Sequence, residues 1–524
     1  MTAAEATTSV GEPWDVLVVG GGVNGCGIAR DLAGRGLRVM LCEQHDLAAH
    51  TSSASTKLIH GGLRYLEFHE FSLVRKALQE REVLLGSAPH IMWPMRFIVP
   101  HDPRLRSLWT LRAGLWLYDH LARRRWLPGS RMMDLQREVS GCSLRPQWQQ
   151  GFAYSDGWVD DARLVVLNAL DAAERGARVL TQTRVAALRR ESGLWHAELH
   201  DARGRHAVRA RSLVNAAGPW AGHLAQEAGV AAARRQRLVK GSHIVVRRWA
   251  PMEQAWLLQN PDRRIVFLIP YGEEHLLIGT TDVAYDQDPG APRISEQETD
   301  YLCASVTRYF DVPLGRADVV WSYSGVRPLL DDDKGDPSAV TRDYLLELDE
   351  AGAPLLNVWG GKITTYRRLA EQAADRLAAS LGCRRGAWTA GSVLPGGDLH
   401  AELGRARPGP GDLRDFEQSL AARYAWMPEA LRRRVARAYG TRVHRWLGAA
   451  RCAADLGAEI APGVFEAELE YAAHQEWAHS GEDFVWRRSK CGLALTPAQR
   501  QCVDAWFERR AGALDMAAQP GAKP

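Results

Sequence analysis

Residues 15 to 44, DVLVVGGGVNGCGIARDLAGRGLRVMLCEQ, limit what this chain can fold into more than any other stretch. The apolar run Val16 to Val19 stops at a glycine cluster, apolar residues then recur at helical spacing through Ile28, Ala29 and Leu32, and a second apolar run after Gly36 leads to Glu43. The order reads as strand, tight turn, helix, strand. Gly20, Gly22 and Gly25 stand in the G-x-G-x-x-G spacing, which shapes the turn, lets backbone approach a pyrophosphate and packs helix on strand. Free N–H groups at the helix start would face phosphates. Glu43 closes the second strand where a carboxylate accepts hydrogen bonds from ribose hydroxyls. These residues predict a dinucleotide site and leave open whether it takes FAD or NAD.

A chain of 524 residues predicts two or three domains. Its net charge of +4 is too small to mark a nucleic-acid-binding surface. Eight cysteines are scattered without a C-x-x-C pair, which suits buried free thiols in a reducing compartment. The first 13 residues are polar, and no apolar run long enough to span a bilayer follows, so neither a secretory signal nor a transmembrane segment is expected.

Further along, the hydroxyl-rich piece Thr51 to Thr56 suits hydrogen bonding to phosphate or flavin oxygens, and Gly61-Gly62 permits backbone to approach a flat ring. Arg64 reads equally as a site residue or a surface arginine. Between residues 96 and 126, apolar residues at helical spacing alternate with arginines; this basic, Trp-rich segment fits a membrane-interface helix or a core or dimer-face helix equally well. DARLVVLNALDAAERGARVL repeats the helix-then-strand order with Asp160 or Asp161 as cap and Gly176 as stop. LVNAAGPWA is a strand ending in small residues at Ala217 and Gly218. From about 238 to 330 the chain becomes strand-rich and alternating, predicting an antiparallel sheet over the nucleotide unit. His243 opens one of its strands, and Arg327 precedes Pro328, which biases its backbone to an extended form. NVWGGKITTYRRLAEQAADRLAASLG returns to strand, glycine turn and helix, with Lys362 at the helix mouth. After about 391 the chain reads as helical, with a capping box at Thr496-Pro497 and Gln499, and shows no catalytic constellation.

Taken together, GGGVNG with Glu43, SSASTKLIHGGLRYLE, KGSHIVV, RIVFLIP, IGTTD, YSGVRPL, VTRDY, GGKITTYRRLAE and WRRSKCGL resemble the FAD-dependent glycerol-3-phosphate dehydrogenase family of the bacterial aerobic type, over nearly the whole chain and in order. The resemblance implies an α/β fold: a Rossmann-like FAD-binding domain of the D-amino-acid-oxidase/glutathione-reductase type, an antiparallel-sheet substrate domain and a helical C-terminal domain. The expected boundaries are a flexible 1–13; an FAD-binding domain of 14–95, 150–237 and 339–390; a substrate cap of 96–149 and 238–338; and a helical domain of 391–524.

In that family sn-glycerol 3-phosphate is oxidised to dihydroxyacetone phosphate and the electrons pass through FAD to a membrane quinone. Matching position by position, the resemblance assigns Arg64, Arg327, Arg342 and Lys362 to the substrate, with Arg327 and Arg342 on the phosphate; several cations suit a dianion. To FAD it assigns Gly20, Gly22, Asn24, Gly25 and Glu43 at the turn, and Thr51, Ser52, Ser53, Lys57, His60, Gly61 and Gly62 in the loop beyond. It adds Ala217 and Gly218 at the later strand end, and Gly361, Lys362 and Thr364 at the helix mouth. Ala217 is a departure, since relatives commonly have threonine there. His243 is the expected base for the C2 hydroxyl proton, with Arg327 as the alternative through polarising that hydroxyl, and Lys362 stabilises developing negative charge. A cytoplasmic homodimer, peripheral on the inner face of the membrane, is the expected assembly. An oxidase of the same fold that reduces oxygen, acting on glycerol phosphate or an amine, and a non-catalytic flavin-binding protein are the competing readings.

Overall fold

The glycine stretch folds as its pattern requires. In the computed structural model, which describes residues 12–139, 141–229, 236–330 and 343–518, β1 (Trp14–Val19) leads through Gly20 to Gly22 into α1 (Val23–Gly34) and then β2 (Val39–Cys42). β1 and β2 pair in parallel, and Val16, Val18, Val39 and Leu41 are fully buried, as a strand covered on both faces must be. Strand Gly204–Asn215 pairs in parallel on the other side of β1, Leu355–Trp359 lies beyond it, and Arg178–Leu180 extends the sheet past β2. Helices α1, Asp161–Glu174 and Tyr366–Leu381 pack one face, while the hairpin Arg184–Glu191 with Leu194–Asp201 packs the other through Val185, Trp195 and Leu199. Asp160, rather than Asp161, caps the helix Asp161–Glu174 by accepting from the Arg163 amide, which leaves the Asp161 carboxylate for other partners.

A second, ten-stranded sheet covers this unit. Its ladders are antiparallel as expected, apart from one parallel pairing between Ala255–Gln259 and Met92–Pro100. It also takes in Leu58–Ile59, Met92–Pro100 and Gln150–Val159. Residues 58–59, 92–95 and 150–159, placed with the nucleotide unit by sequence, therefore belong to this sheet by their hydrogen bonds. Their apolar runs are compatible with either sheet, and only the pairing partners decide.

One ladder dominates the second sheet. Strands Gln236–Arg247 and Val319–Leu330 pair over nearly their whole lengths, with one irregularity between Val245 and Val246, and with His243 opposite Tyr323 and Val239 opposite Arg327. Side chains alternate on a strand. Arg237, Val239, Gly241 and His243 face a cavity, while Lys240 and Ser242 turn to Glu298 on the other face, Lys240 Nζ at 2.9 Å and Ser242 Oγ also at 2.9 Å.

The C-terminal part is helical with one short two-stranded ladder, and its last helix, Pro497–Ala518, opens on the predicted capping box between Thr496 and Gln499. It is fixed to the nucleotide unit by buried ion pairs. Arg163 meets Glu476, and Arg487 and Arg488 both meet Asp46, three residues past Glu43. In the segment 96–126, a helix runs Leu108–His120. Leu111, Leu115 and Tyr118 are buried, whereas Trp109 and Trp116 are 74% and 61% exposed. Five cysteines are buried, as expected, but Cys452 and Cys502 are exposed and Cys383 is partly so.

Candidate active site

Between the two sheets lies a cavity of about 870 Å3, a size suited to a cofactor or small ligand. One end is the glycine turn. Gly20 has φ +113°, and a Cβ there would stand 2.4 Å from the Ala216 carbonyl oxygen; one on Gly25 would stand 1.9 Å from the Gly20 oxygen. Only glycine lets the strand ends and the helix start close on one another in this way. Gly25 therefore acts behind the turn, packing helix on strand, and does not line the cavity.

Glu43 sits where expected, yet its oxygens already have partners. One accepts from the Gly21 amide at 2.6 Å and the other from the His45 amide at 2.8 Å. Burial raises its pKa in spite of these backbone donors. Each oxygen keeps a lone pair, so the carboxylate can hold the turn and still accept from a ribose hydroxyl. Ser52 Oγ accepts the Val23 amide at 3.0 Å and so caps α1 from outside, because Gly22 has no side chain to do it. Thr51 Oγ1 donates to the Val326 carbonyl at 2.7 Å and ties the loop to the roof strand. Asn24 donates to the Gly360 oxygen at 3.2 Å, and its own buried Oδ1 has no partner among the described residues. With Ala217, Gly218 and Gly361 also on the wall, the constricted glycine turn, the acid and this orphaned acceptor fit the ADP half of FAD.

The loop beyond departs from expectation. Lys57 does not face the cavity: its ammonium is buried, 2.8 Å from both oxygens of Asp161, because a charge in the interior must be paired. Asp161 also accepts from Ser55 Oγ at 2.7 Å, and these partners hold its pKa below the ordinary range against desolvation. Ser53 Oγ turns back to the His50 carbonyl, and the Gly61 amide donates to the Tyr118 hydroxyl at 2.8 Å. Gly62, at φ +76°, turns the chain under the Tyr65 ring. Ser53, Lys57, Gly61 and Gly62 thus shape the loop from behind, whereas His60 and Thr364 line the cavity, with Thr364 Oγ1 accepting the His60 amide at 3.2 Å.

Cations from several segments also line the cavity. Arg64, Arg237, Arg327 and Lys362 line it. Arg64 has no ion pair or hydrogen bond among the described residues. Lys362 Nζ lies 4.1 Å from the Tyr65 ring centre, a cation–π contact that leaves its charge unneutralised. Lys362 precedes a 3-10 turn, Ile363–Thr365, and the α-helix begins only at Tyr366. Arg327 is committed instead: it donates to the Thr281 carbonyl at 3.0 Å and pairs with Asp282. Arg342 lies outside the described residues.

His243 stands beside Arg327, buried to 2% exposure. Its Nε2 lies 2.9 Å from Thr56 Oγ1, its ring stacks on Tyr323 at 4.7 Å, and its buried Nδ1 has no partner among the described residues. Two glycines make the room. Gly279 lies opposite His243, and a Cβ there would fall 2.0 Å from the imidazole; one on Gly241 would fall 2.7 Å from the Arg327 guanidinium. Burial, then the charges of Lys57 and Arg327, lower the His243 pKa to about 3, so the ring is neutral at physiological pH. Arg237, Thr280 and Asp282 are wall residues that sequence reading did not single out, although Thr280 and Asp282 fall inside the quoted strings, and Thr56, from the hydroxyl-rich piece, meets His243. One group of potential metal ligands lies among the described residues, Glu43 with His45 and His50. Its two imidazoles bond each other at 2.9 Å and Glu43 holds backbone amides.

A glycine turn with an acid and a roofed cavity with cations on its wall are the features of a dinucleotide-dependent oxidoreductase, and comparison with known proteins names the dinucleotide. Residues 15–367 match the family described as FAD dependent oxidoreductase, and residues 388–518 match the C-terminal domain of alpha-glycerophosphate oxidase. The chain is 51% identical over 499 residues to the glycerol-3-phosphate dehydrogenase of Pseudomonas aeruginosa, covering 93% of this chain and 94% of that one. It is 49% identical over 501 residues to the D-erythritol 1-phosphate dehydrogenase of Brucella abortus, covering 95% and 98%. The glycerol-3-phosphate dehydrogenase from Bacillus halodurans, solved in complex with FAD, superimposes with a TM-score of 0.75 at 27% identity, covering 96% and 91%. The chain belongs to the FAD-dependent glycerol-3-phosphate dehydrogenase family, and its cofactor is FAD.

Proposed function

We propose that this protein oxidises sn-glycerol 3-phosphate to dihydroxyacetone phosphate and delivers the electrons to a membrane quinone. The observation that carries the reading is the set of Arg64, Arg327 and Lys362 on the wall of an FAD-type cavity, where a phosphate dianion meets cations from three separate segments. FAD, when bound, supplies the hydride acceptor. The side chains supply the remainder. Arg64 and Lys362 offer charges without acidic partners among the described residues, and Arg327 exchanges Asp282 for the phosphate. His243, neutral and with Nδ1 unpartnered, takes the proton from the C2 hydroxyl. A dianion in the cavity opposes the repulsion from Lys57 and Arg327 that helps hold the imidazole pKa down, and so makes the ring a better base once substrate is present. Replacing His243 by Asn should abolish most turnover; near wild-type turnover with an unchanged pH profile would remove it from this role.

Anaerobic mixing with glycerol 3-phosphate while following flavin absorbance tests cofactor, substrate and direction together. Bleaching is expected, and an unchanged spectrum would overturn the reading. A second substrate has a specific basis: the relative named for D-erythritol 1-phosphate is about as similar as the one named for glycerol 3-phosphate. Both are phosphate monoesters of short polyols, so the same experiment with each compound, compared by kcat/KM, assigns the chain length. Hydrogen peroxide formed in air at the rate of substrate turnover would favour an oxidase.

Membrane delivery is supported by the helix Leu108–His120, whose exposed Trp109 and Trp116 lie with Arg112, its guanidinium 5.5 Å from the Trp109 ring. No helix of the described residues is long and apolar enough to cross a membrane, and the attachment proposed is peripheral, through this face at the inner leaflet. The accompanying homodimer is tested by light scattering in detergent.

A further inference from the structure

The C-terminal domain reaches the catalytic histidine by two routes that converge. The first is a column of rings. Trp486, in a π-helical turn Asp483–Arg488, stacks on Trp321 with ring centres 4.3 Å apart and planes 8° from parallel. Trp321 meets Tyr323 at 5.1 Å, and Tyr323 stacks on His243 at 4.7 Å and 16°. Trp321 and Tyr323 fall on the same strand face as Gly325 and Arg327, two of the cavity's wall residues, because alternate positions share a face. On the far side of the column, Gly492 accommodates the Trp486 indole, since a Cβ there would stand 2.9 Å from three of its ring atoms.

The second route is ionic. Lys490 Nζ lies 3.4 Å from Asp161 and 3.6 Å from Asp160. Asp161 holds Lys57 and Ser55; Lys57 lies over the Tyr323 ring at 4.9 Å, and the Tyr323 hydroxyl donates to the Ser55 carbonyl at 2.8 Å. The next residue of that loop, Thr56, is the one that meets His243 Nε2. Lys57 and Lys490 both sit in the left-handed backbone region, at φ 60° and 57°. Such a conformation is costly for a residue with a Cβ and persists where surrounding contacts impose it.

We propose that Trp486 and Lys490 are positioning residues for His243: the C-terminal domain fixes the imidazole against the substrate through the Trp486–Trp321–Tyr323 column and the Lys490–Asp161–Lys57 chain. A helical domain with no catalytic group of its own thereby becomes part of the active site's geometry. The inference rests on His243 acting at the substrate, as argued above.

The test uses the full-length holoenzyme with Trp486→Ala, Trp486→Phe and Lys490→Met, each alone and combined with His243→Asn. Trp486→Ala and Lys490→Met are expected to lower kcat by about 10- to 100-fold, the scale of a displaced catalytic group, with little change in KM. Trp486→Phe, which keeps a ring in the column, is expected to restore most of that loss. In the His243→Asn background none of these changes should lower kcat further. A second readout is the His243 resonance in protein carrying 15N-labelled histidine, which should move in Trp486→Ala and return in Trp486→Phe. Unchanged kcat and resonance in Trp486→Ala and Lys490→Met would overturn the proposal. So would equal losses with and without His243. If His243→Asn alone keeps full turnover, the proton-acceptor role fails, and the resonance still decides whether the C-terminal domain sets the ring's position.

Discussion

The Gly21 amide donates to the Glu43 carboxylate at 2.6 Å, so the acid that closes β2 also fastens the glycine turn to it. Removing that carboxylate loosens the turn and deletes a ribose acceptor together. Glu43→Ala is expected to weaken FAD binding by about 10- to 100-fold, since hydrogen bonds to a charged group contribute about 1.5–3 kcal/mol. Titration of apoprotein with FAD, followed by flavin fluorescence, measures it.

His243 carries a pH signature. Its folded pKa of about 3 lies below the unfolded value near 6.5, so the unfolded chain binds more protons between these limits. Stability from this group is therefore complete above pH 6.5 and is lost as pH falls towards 3. At pH 5 the loss amounts to about 2 kcal/mol. Denaturant unfolding at pH 5 and pH 7.5 should show a smaller acid penalty in His243→Asn than in the wild type by about that amount.

Arg327 and Asp282 are each about one-third exposed, at 35% and 38%. Their pair is worth at most about 1 kcal/mol. Asp282→Asn frees the guanidinium for phosphate and is expected to lower KM by up to about fivefold. Arg327→Ala should raise KM by about 10- to 100-fold. Steady-state kinetics on both variants separate the two effects, and an unchanged KM in Arg327→Ala would count against a phosphate role.

The exposed indoles of Trp109 and Trp116 give the membrane reading a sharp test. Replacing either by Ser should weaken binding to phosphatidylglycerol vesicles by about 10- to 150-fold, since burying a large apolar side chain contributes about 1.5–3 kcal/mol. Turnover with a water-soluble electron acceptor should stay unchanged. Vesicle sedimentation provides the measurement.

Asp46 neutralises Arg487 and Arg488, with Arg488 fully buried. Arg487 keeps Asp483 in Asp46→Asn, but the buried Arg488 loses its acidic partner, which should destabilise the protein by about 3–5 kcal/mol. Urea unfolding monitored by tryptophan fluorescence is expected to begin at lower urea in Asp46→Asn than in the wild type, as the C-terminal helices separate from the nucleotide unit.

Local chemistry made much of this legible from sequence. Gly20, Gly25 and Glu43 act within one short unit, so spacing alone fixed their relationship, and the alternation around His243 and Arg327 announced strands. What spacing could not supply was partnership across the chain. The resemblance assigns Lys57 to the cofactor, but Asp161, 104 residues away, claims its charge. Gly279 and Gly241 take their meaning only from the folded sheet, where Gly279 lies opposite His243 and Gly241 leaves room for the Arg327 guanidinium. The strand Gln150–Val159 carried no mark of which sheet it would join. The C-terminal segment offered no catalytic pattern, because its contribution passes through rings and ions on other elements.

The alternation along Gln236–Arg247 has a consequence for how the site can change. Arg237, Val239, Gly241 and His243 present one row to the ligand, while Lys240 and Ser242 present another to Glu298. Loss or gain of a single residue within the strand would exchange the two rows, turning Lys240 and Ser242 towards the cavity and the His243 row away from it. New substrates are therefore reachable by substitution in the first row and closed to insertion or deletion, so this strand should keep its length while the wall residues it carries diverge.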